Sequence, residues 1–381
     1  MRKLPQWADV VLVPLISLLL AALVAAIVLL AIGQSPTAAL GIMVEGAFGS
    51  ANGWGYTLYY TTSFIFTGLS VIVAFHAGLF NIGGEGQAQL GGLGVALVCL
   101  ALPWPHWTLA LLAATLGAAV FGAAWAAIPA YLQAKRGSHI VITTIMFNYI
   151  ASALIVYMLV DVLRPAGQMD PASARFPEGA KLPALSDLPI LREFFARLNP
   201  DGTPRLTKAG VAMYSNVPAN VTLFIALAAC VVVWLLLWRT RLGYQIRAFG
   251  KSEAASKYAG INPVKITMIA MLISGGLAGM MAINNVMGSA ERLLQNSAEG
   301  AGFIGIAVAL MGRNHPLGVL LAALLFGFLY QGGAALGLNT TIPIEMRIVV
   351  QGLVILFTGA LDQMVRMLLV WVFSFGRKAV A

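Results

Sequence analysis

The sequence predicts an all-α polytopic membrane protein with about ten transmembrane helices. Of its 381 residues, 60% are hydrophobic and 10% charged, and the mean hydropathy is +0.87, whereas soluble domains carry about 25% charge. The apolar residues stand in long continuous runs, unlike the ~10-residue alternating segments of a membrane barrel. A spanning helix needs ~20 apolar residues, so ten would take roughly 200 positions and leave room for real loops. These observations exclude a soluble globular protein.

The runs fall near 10–32, 57–79, 86–102, 108–132, 140–163, 219–238, 265–285, 300–312, 317–337 and 346–370. The first follows Met1 to Lys3, is too long for a signal-peptide core and lacks a cleavage site, so it is expected to stay as a helix. Trp54, Tyr56, Tyr59 and Tyr60 precede the second run as interfacial anchors. Trp104, His106 and Trp107 mark the Pro-rich turn after the third. His106 is interfacial on this reading, since no second His, Cys or carboxylate stands at metal-ligand spacing. Cys99 and Cys230 lie inside apolar runs as small hydrophobes and imply neither disulfide nor metal site.

The net charge of +9 does not imply a nucleic-acid partner, because the charges sit in loops. With the N-terminus in the cytoplasm, Lys135, Arg136, Arg239, Arg241, Arg247, Lys251, Lys257, Lys265 and Arg313 fall on the inner side. Arg2, Lys3, Arg366, Arg377 and Lys378 join them, while the short outer loops hold Arg292 and Arg347. By the positive-inside rule both termini are cytoplasmic. The whole chain, 1–381, is expected to form a single transmembrane domain. Within it 164–218, with eight prolines and charges of both signs, is an extracytoplasmic loop. Leu191, Phe194, Phe195 and Leu198 repeat there at helical spacing after Ser186 and Asp187, predicting a short amphipathic helix.

Two segments interrupt the apolar pattern. Gly78 to Gln89 is Gly-rich and polar, and three glycines in four positions cost roughly 1 kcal/mol each in a helix. Irregular backbone at membrane depth is tolerated beside protein or water, so the segment either lines a cavity, with Glu85 as a functional candidate, or is a cytoplasmic turn. Asn284 to Arg292 and Glu299 to Gly305 form a second break. Glu85-Gly86 and Glu299-Gly300 each lead into an apolar run, and the two runs point in opposite directions. Such an echo admits an inverted repeat with broken helices around a midplane site, or a chance likeness of Gly-rich runs.

The inner segment 239–264 is expected to be a cytoplasmic loop carrying one short helix. Ser252 suits its N-cap, Glu253 and Lys257 an i to i+4 pair, and Gly260 the C′ position. Small Ala254, Ala255 and Ala259 let another surface approach. A docking peg and a solvated connector fit these residues equally well.

Four strings, 78–87 (GLFNIGGEGQ), 142–151 (ITTIMFNYIA), 247–261 (RAFGKSEAASKYAGI) and 302–318 (GFIGIAVALMGRNHPLG), resemble the membrane subunits of ABC importers in the branched-chain amino acid and simple sugar permease superfamily, nucleoside-type branch. Two positions depart from the pattern: Ile140 where the family often has Glu, and Ile304 where it often has Asp. The resemblance implies a permease, not an enzyme, in a bacterial plasma (inner) membrane. It implies four partners: a cytoplasmic ATP-binding cassette ATPase, a second permease subunit, an extracytoplasmic substrate-binding protein and membrane lipid. The chain has no G-x-x-x-x-G-K-[ST] loop, so ATP and Mg would belong to the ATPase and this chain would hold no cofactor. Gly250, Glu253, Ala254, Ala255 and Gly260 would then couple to that ATPase. For a nucleoside, Asn81, Glu85, Gln87 and Asn148 offer matching polar groups, with Phe80 or Phe303 for stacking; Asn148 suits a helix-bridging role as well. The alternatives are an ABC permease for a simple sugar, an ion-coupled secondary transporter using Glu85 or Asp161, and, least supported by residues, a membrane enzyme.

Overall fold

A computed structural model describes residues 12–31, 33–196 and 213–339, with scattered positions between 348 and 370. Among the described residues the chain is helical, with three isolated β-bridges and no strand. Six helices are long and apolar enough to cross a membrane, up to seven if one bent pair counts as a span. This multi-pass architecture matches the predicted class. The first nine apolar runs each coincide with a helix, although those at Val13–Ala31, Gly84–Ala101 and Ala301–Met311 are not among the six, and the first of them counts only as part of the bent pair. The tenth run, 346–370, lies largely outside the described residues.

The chain divides into two compact units. One comprises 1–50 and 328–381. It holds α1 (Val13–Ala31) and α2 (Pro36–Phe48), and Gly46 packs there against Ala335. Helix α2 was not expected, because a thirteen-residue apolar stretch is shorter than a span. Its start is nevertheless written locally: the Ser35 hydroxyl accepts from the Ala38 N–H, and Pro36 occupies the first turn, where a missing N–H costs nothing.

The other unit, 51–327, contains α3 (Ala51–His76), α4 (Gly84–Ala101), α5 (Trp107–Arg136), α6 (Ile140–Tyr157, extended by a π-turn to Val162), α7 (Thr222–Arg239), α8 (Arg241–Lys251), α9 (Glu253–Tyr258), α10 (Pro263–Ala282, extended as a π-helix to Ala290), α11 (Ala301–Met311) and the first half of α12 (Pro316–Asn339). Helix α3 is its axis, buried along almost its whole length. Helices α4, α5 and α10 pack through glycine. Gly91 meets the Gly279 backbone, Gly122 meets Gly275 and Gly279, and Gly94 meets Gly117. Between lipid-embedded helices, small residues allow the backbone approach that supplies the packing energy. Helix α5 carries Pro129 inside it and ends at Gly137, which adopts φ +70° and donates its N–H to the Leu132 carbonyl.

The segment 164–218 differs from expectation at its predicted amphipathic helix. Residues 188–196 form consecutive turns closed by bonds such as Phe195 N–H to Arg192 O (3.1 Å). The N-cap expectation at Ser186 and Asp187 is realised differently: the Asp187 carboxylate accepts from the Ala184 N–H at 3.0 Å and closes a single 3-10 turn. Phe195 is nevertheless buried, against Tyr59, Leu185, Val217 and Ala219. The apolar period reported a real burial, but Phe195 is held by tertiary contacts without a helix. Leu198 lies outside the described residues. The same segment clamps the approach to α11. Ser173 exchanges two hydrogen bonds with Leu293, Phe176 N–H reaches the Glu291 carbonyl, and Arg175 and Lys181 lie 3.7 and 3.6 Å from the Glu291 carboxylate. Lys181, bonded first to Glu178 and then facing Glu291, has its pKa raised.

Candidate functional site: two opposed half-helices

The first break begins where α3 ends. Gly78 adopts φ +71°, and Leu79 N–H returns to the Ala74 carbonyl at 3.0 Å, a helix-ending turn that favours glycine. Asn81 is buried and fully paired. Its amide donates to Gln87 Oε1 (2.9 Å) and Ser274 Oγ (2.9 Å), while its oxygen accepts from Gly83 N–H (2.9 Å) and Gln87 Nε2 (3.1 Å). Asn148, on α6, accepts from Gly86 N–H (2.9 Å) and donates to the Ile82 carbonyl (3.0 Å). It therefore bridges α6 to the start of α4. One turn on, the Ser152 hydroxyl donates to Gln89 at 3.0 Å.

Glu85 links the two breaks. Its carboxylate oxygens accept from Gly300 N–H and Gly302 N–H, both at 2.9 Å. Those N–H groups are the first donors of α11, which no intrahelical carbonyl reaches. A carboxylate there satisfies them and complements the helix dipole. The contact is close: any side chain at Gly302 would strike the backbone of Gly84 and Glu85. The chain reaches this point through Glu291, Asn296, Glu299 and Gly300, all at positive φ.

The two helices run in opposite directions from that junction. Helix α4 climbs along α10, with Gly91 at Gly279 and Gly92 near Val286 and Leu293. Helix α11 descends along α3, with Gly305 at Thr67 and, past its end, the Asn314 carbonyl 3.0 Å from His76 Nε2. The weak sequence echo between Glu85-Gly86 and Glu299-Gly300 thus corresponds to two half-helices meeting N-terminus to N-terminus.

Beside the junction α3 carries a column of hydroxyls, Ser63, Thr67 and Ser70, spaced at i, i+4 and i+7 and all buried. Ser70 pairs with Ser274 (3.0 Å) near Asn81. Ser63 donates to Asn285 (2.8 Å) and receives Asn284 (2.9 Å), which also accepts from Asn220 and Thr222. These residues were not among the sequence candidates, although hydroxyls recurring at helical period inside an apolar run were a readable signal. Of the expected pathway residues, Asn81, Glu85, Gln87 and Asn148 are brought together and bonded to protein groups. Phe80 is half-buried with its ring 5.1 Å from Phe75, and Phe303 is 48% exposed on α11. Ile140 is buried, and Ile304 half-buried.

At the other end of the site, α9 has the expected caps. Ser252 Oγ accepts from Ala255 N–H (3.3 Å), Glu253 and Lys257 pair at 2.8 Å, and Gly260 has φ +78°. Glu253, Ala254, Ala255 and Gly260 are exposed, and Tyr258 almost fully so. Gly250 has one exposed side and presses the other on the α3 end. Helix α8, expected as loop, is amphipathic: Gly243, Ile246 and Phe249 are buried, Arg241, Tyr244 and Lys251 exposed. A groove of about 880 Å³ runs between the end of α7, α8 and α9, lined by Arg239, Arg241, Arg247 and Lys251 among others.

Residues 53–359 match the family model described as branched-chain amino acid transport system / permease component. The chain belongs to that permease family. The permease is 33% identical over 353 residues to the guanosine ABC transporter permease NupP of Bacillus subtilis, covering 92% of this chain and 93% of that one. It is 34% identical over 349 residues to the nucleoside ABC transporter permease NupB of Lactococcus lactis, covering 91% and 90%. It is 33% identical over 356 residues to the glucose ABC transporter permease TsgB13 of Haloferax volcanii, covering 93% and 88%. The protein is thus an ABC transporter permease and a multi-pass membrane protein. Among the described residues no group of three or more His, Cys, Asp or Glu side chains could hold a metal ion.

Proposed function

We propose that this permease moves nucleosides inward across a bacterial plasma membrane. It would receive them from an extracytoplasmic binding protein and work with a second permease subunit and a cytoplasmic ATPase that holds ATP and Mg. The observation that carries the substrate class is the polar column. Along Ser63, Ser70, Ser274, Asn81 and Asn285 the permease gathers hydroxyls and amides bonded to one another and to the backbone, and the buried carboxylate beside them, Glu85, is occupied by two backbone N–H groups. Such groups suit an uncharged solute whose own donors and acceptors can take the place of the bonds they now make with one another, because a buried polar group left unmatched costs about 1–3 kcal/mol. Nucleosides and sugars both qualify. Two of the three relatives named above carry nucleosides in their names and one glucose, so a sugar is the second reading.

In this proposal Asn81, Gln87, Glu85 and Asn148 hold the half-helices at the passage, and Phe80 and Phe303 offer faces on which a base could stack. Ten spans with both termini in the cytoplasm agree with the basic residues gathered around α8, α9 and the Arg313 turn. On the inner face α9 is the peg gripped by the ATPase, with Glu253, Ala254 and Ala255 exposed and Tyr258 as an aromatic anchor of the kind that dominates interfaces.

Uptake of labelled guanosine and of glucose into proteoliposomes holding the complete complex tests the reading. Guanosine uptake that requires ATP supports it. Glucose uptake alone would move the assignment to sugars, and uptake by the isolated chain under a pH gradient would overturn it. Glu253→Arg and Ala255→Trp should each leave folding intact and uncouple hydrolysis from uptake; unchanged uptake in both would remove the peg role.

A further inference from the structure

Among the described residues α9 packs mainly on α8 and α10 rather than on α4 or α11, so a movement of the peg must reach the half-helices through other groups. Ser252 joins α9 to α8 with no residue between. It closes α8 by donating its N–H to the Ala248 carbonyl (3.1 Å) and opens α9 by accepting Ala255 N–H on its hydroxyl and Ser256 N–H on its carbonyl. The two short helices therefore form one bent lever.

The far arm of that lever ends in bare backbone contact. Gly250, in the last turn of α8, faces the end of α3. A Cβ there would strike the His76 carbonyl and lie 2.7 Å from Gly78 N, and Gly78 in turn has its own open side 3.3 Å from Gly250 Cα. Gly78 starts the first break, three residues before Asn81. From Asn81 the bonds run to Gln87 and Ser274, and from the first turn of α4 through Glu85 to Gly300 and Gly302 of α11. A second contact runs beside it. The Trp238 ring lies 5.2 Å from His76 and 5.1 Å from His315, with the Arg247 guanidinium of α8 6.0 Å away.

We propose that Gly250 against Gly78 is the joint through which the α8–α9 lever displaces both half-helices. This rests on the reading of α9 as the ATPase-gripped peg. No side chain cushions the contact, so a displacement of α8 is passed on to the loop, as in close-packed elements with few discrete arrangements. The two glycines are positioning residues that touch no solute.

The test is made on the reconstituted complex with its ATPase, second permease and binding protein, using Gly250→Ala and Ser252→Gly. Gly250→Ala drives a methyl into the joint. Ser252→Gly adds no atoms and keeps an acceptable N-cap residue, but frees the elbow dihedrals. Both variants should retain the ATPase on purification and hydrolyse ATP, while solute moved per ATP falls about tenfold. A wild-type ratio in both variants, or parallel loss of hydrolysis and uptake in both, overturns the joint. If Gly250→Ala does not assemble, Ser252→Gly decides alone. A wild-type complex whose uptake ignores ATP would instead overturn the proposed function, and so the two failures are distinct.

Discussion

Glu85 decides whether the two half-helices stay in register, because both its oxygens are spent on the first N–H groups of α11. Glu85→Ala should orphan both donors at a cost of about 1–3 kcal/mol each, seen as a lower thermal midpoint of the purified chain together with lost uptake. Glu85→Gln, which keeps one acceptor oxygen, should fall between. Wild-type stability and uptake in the alanine variant would deny the junction any role. The sequence singled out Glu85 because a carboxylate inside an apolar run is costly, and the family resemblance added Asn81, Gln87 and Asn148 as groups that could match a nucleoside. It could not say what Glu85 and Asn81 bind, since their partners at Gly300, Gly302 and Ser274 are 193 to 217 positions away in the chain, and that pairing is fixed by packing.

At the scale of elements, glycine seams set how closely helices approach. Gly91→Ala would push a methyl into the Gly279 backbone, whereas at Gly276 the nearest atom, the Ala119 carbonyl, leaves ordinary room at 3.4 Å. Gly91→Ala should therefore destabilise by about 1–3 kcal/mol as an overpacked contact, while Gly276→Ala stays within about 0.5 kcal/mol. Thermal unfolding of both variants in detergent checks the contrast, and equal midpoints would refute the seam. Helix α9 was legible to its caps because Ser252, Glu253, Lys257 and Gly260 are local signals. Helix α8 was not, because its apolar side is only Gly243, Ile246 and Phe249 beside many charges. The turns at 188–196 show the converse: of an apolar period at Leu191, Phe194 and Phe195, Phe195 and in part Leu191 were met by the cluster around Tyr59 and Val217, while Phe194 stays exposed beside Trp54.

For the molecule as a whole, the proposed orientation places α9 inside and the 164–218 segment outside. Native Cys99 and Cys230 are both buried, so single cysteines can report sidedness against a low background. Tyr258→Cys, nearly fully exposed in the structure, should react with an impermeant maleimide only from the cytoplasmic side, and Met169→Cys, equally exposed, only from the exterior. The reversed pattern would invert the topology and remove the ATPase from the peg.

Composition and run length alone determined a helical membrane protein, the places of its long apolar helices among the described residues and the interruptions near 78–89 and 284–305, because lipid imposes those constraints on each segment separately. The tertiary structure decided that the interruptions are one site, that Glu85 of one half caps the helix of the other, and that α8 reaches the first break through Gly250. Those facts are meetings of backbone with backbone and of carboxylate with distant N–H. No local pattern encodes them, because they depend on which helices pack together.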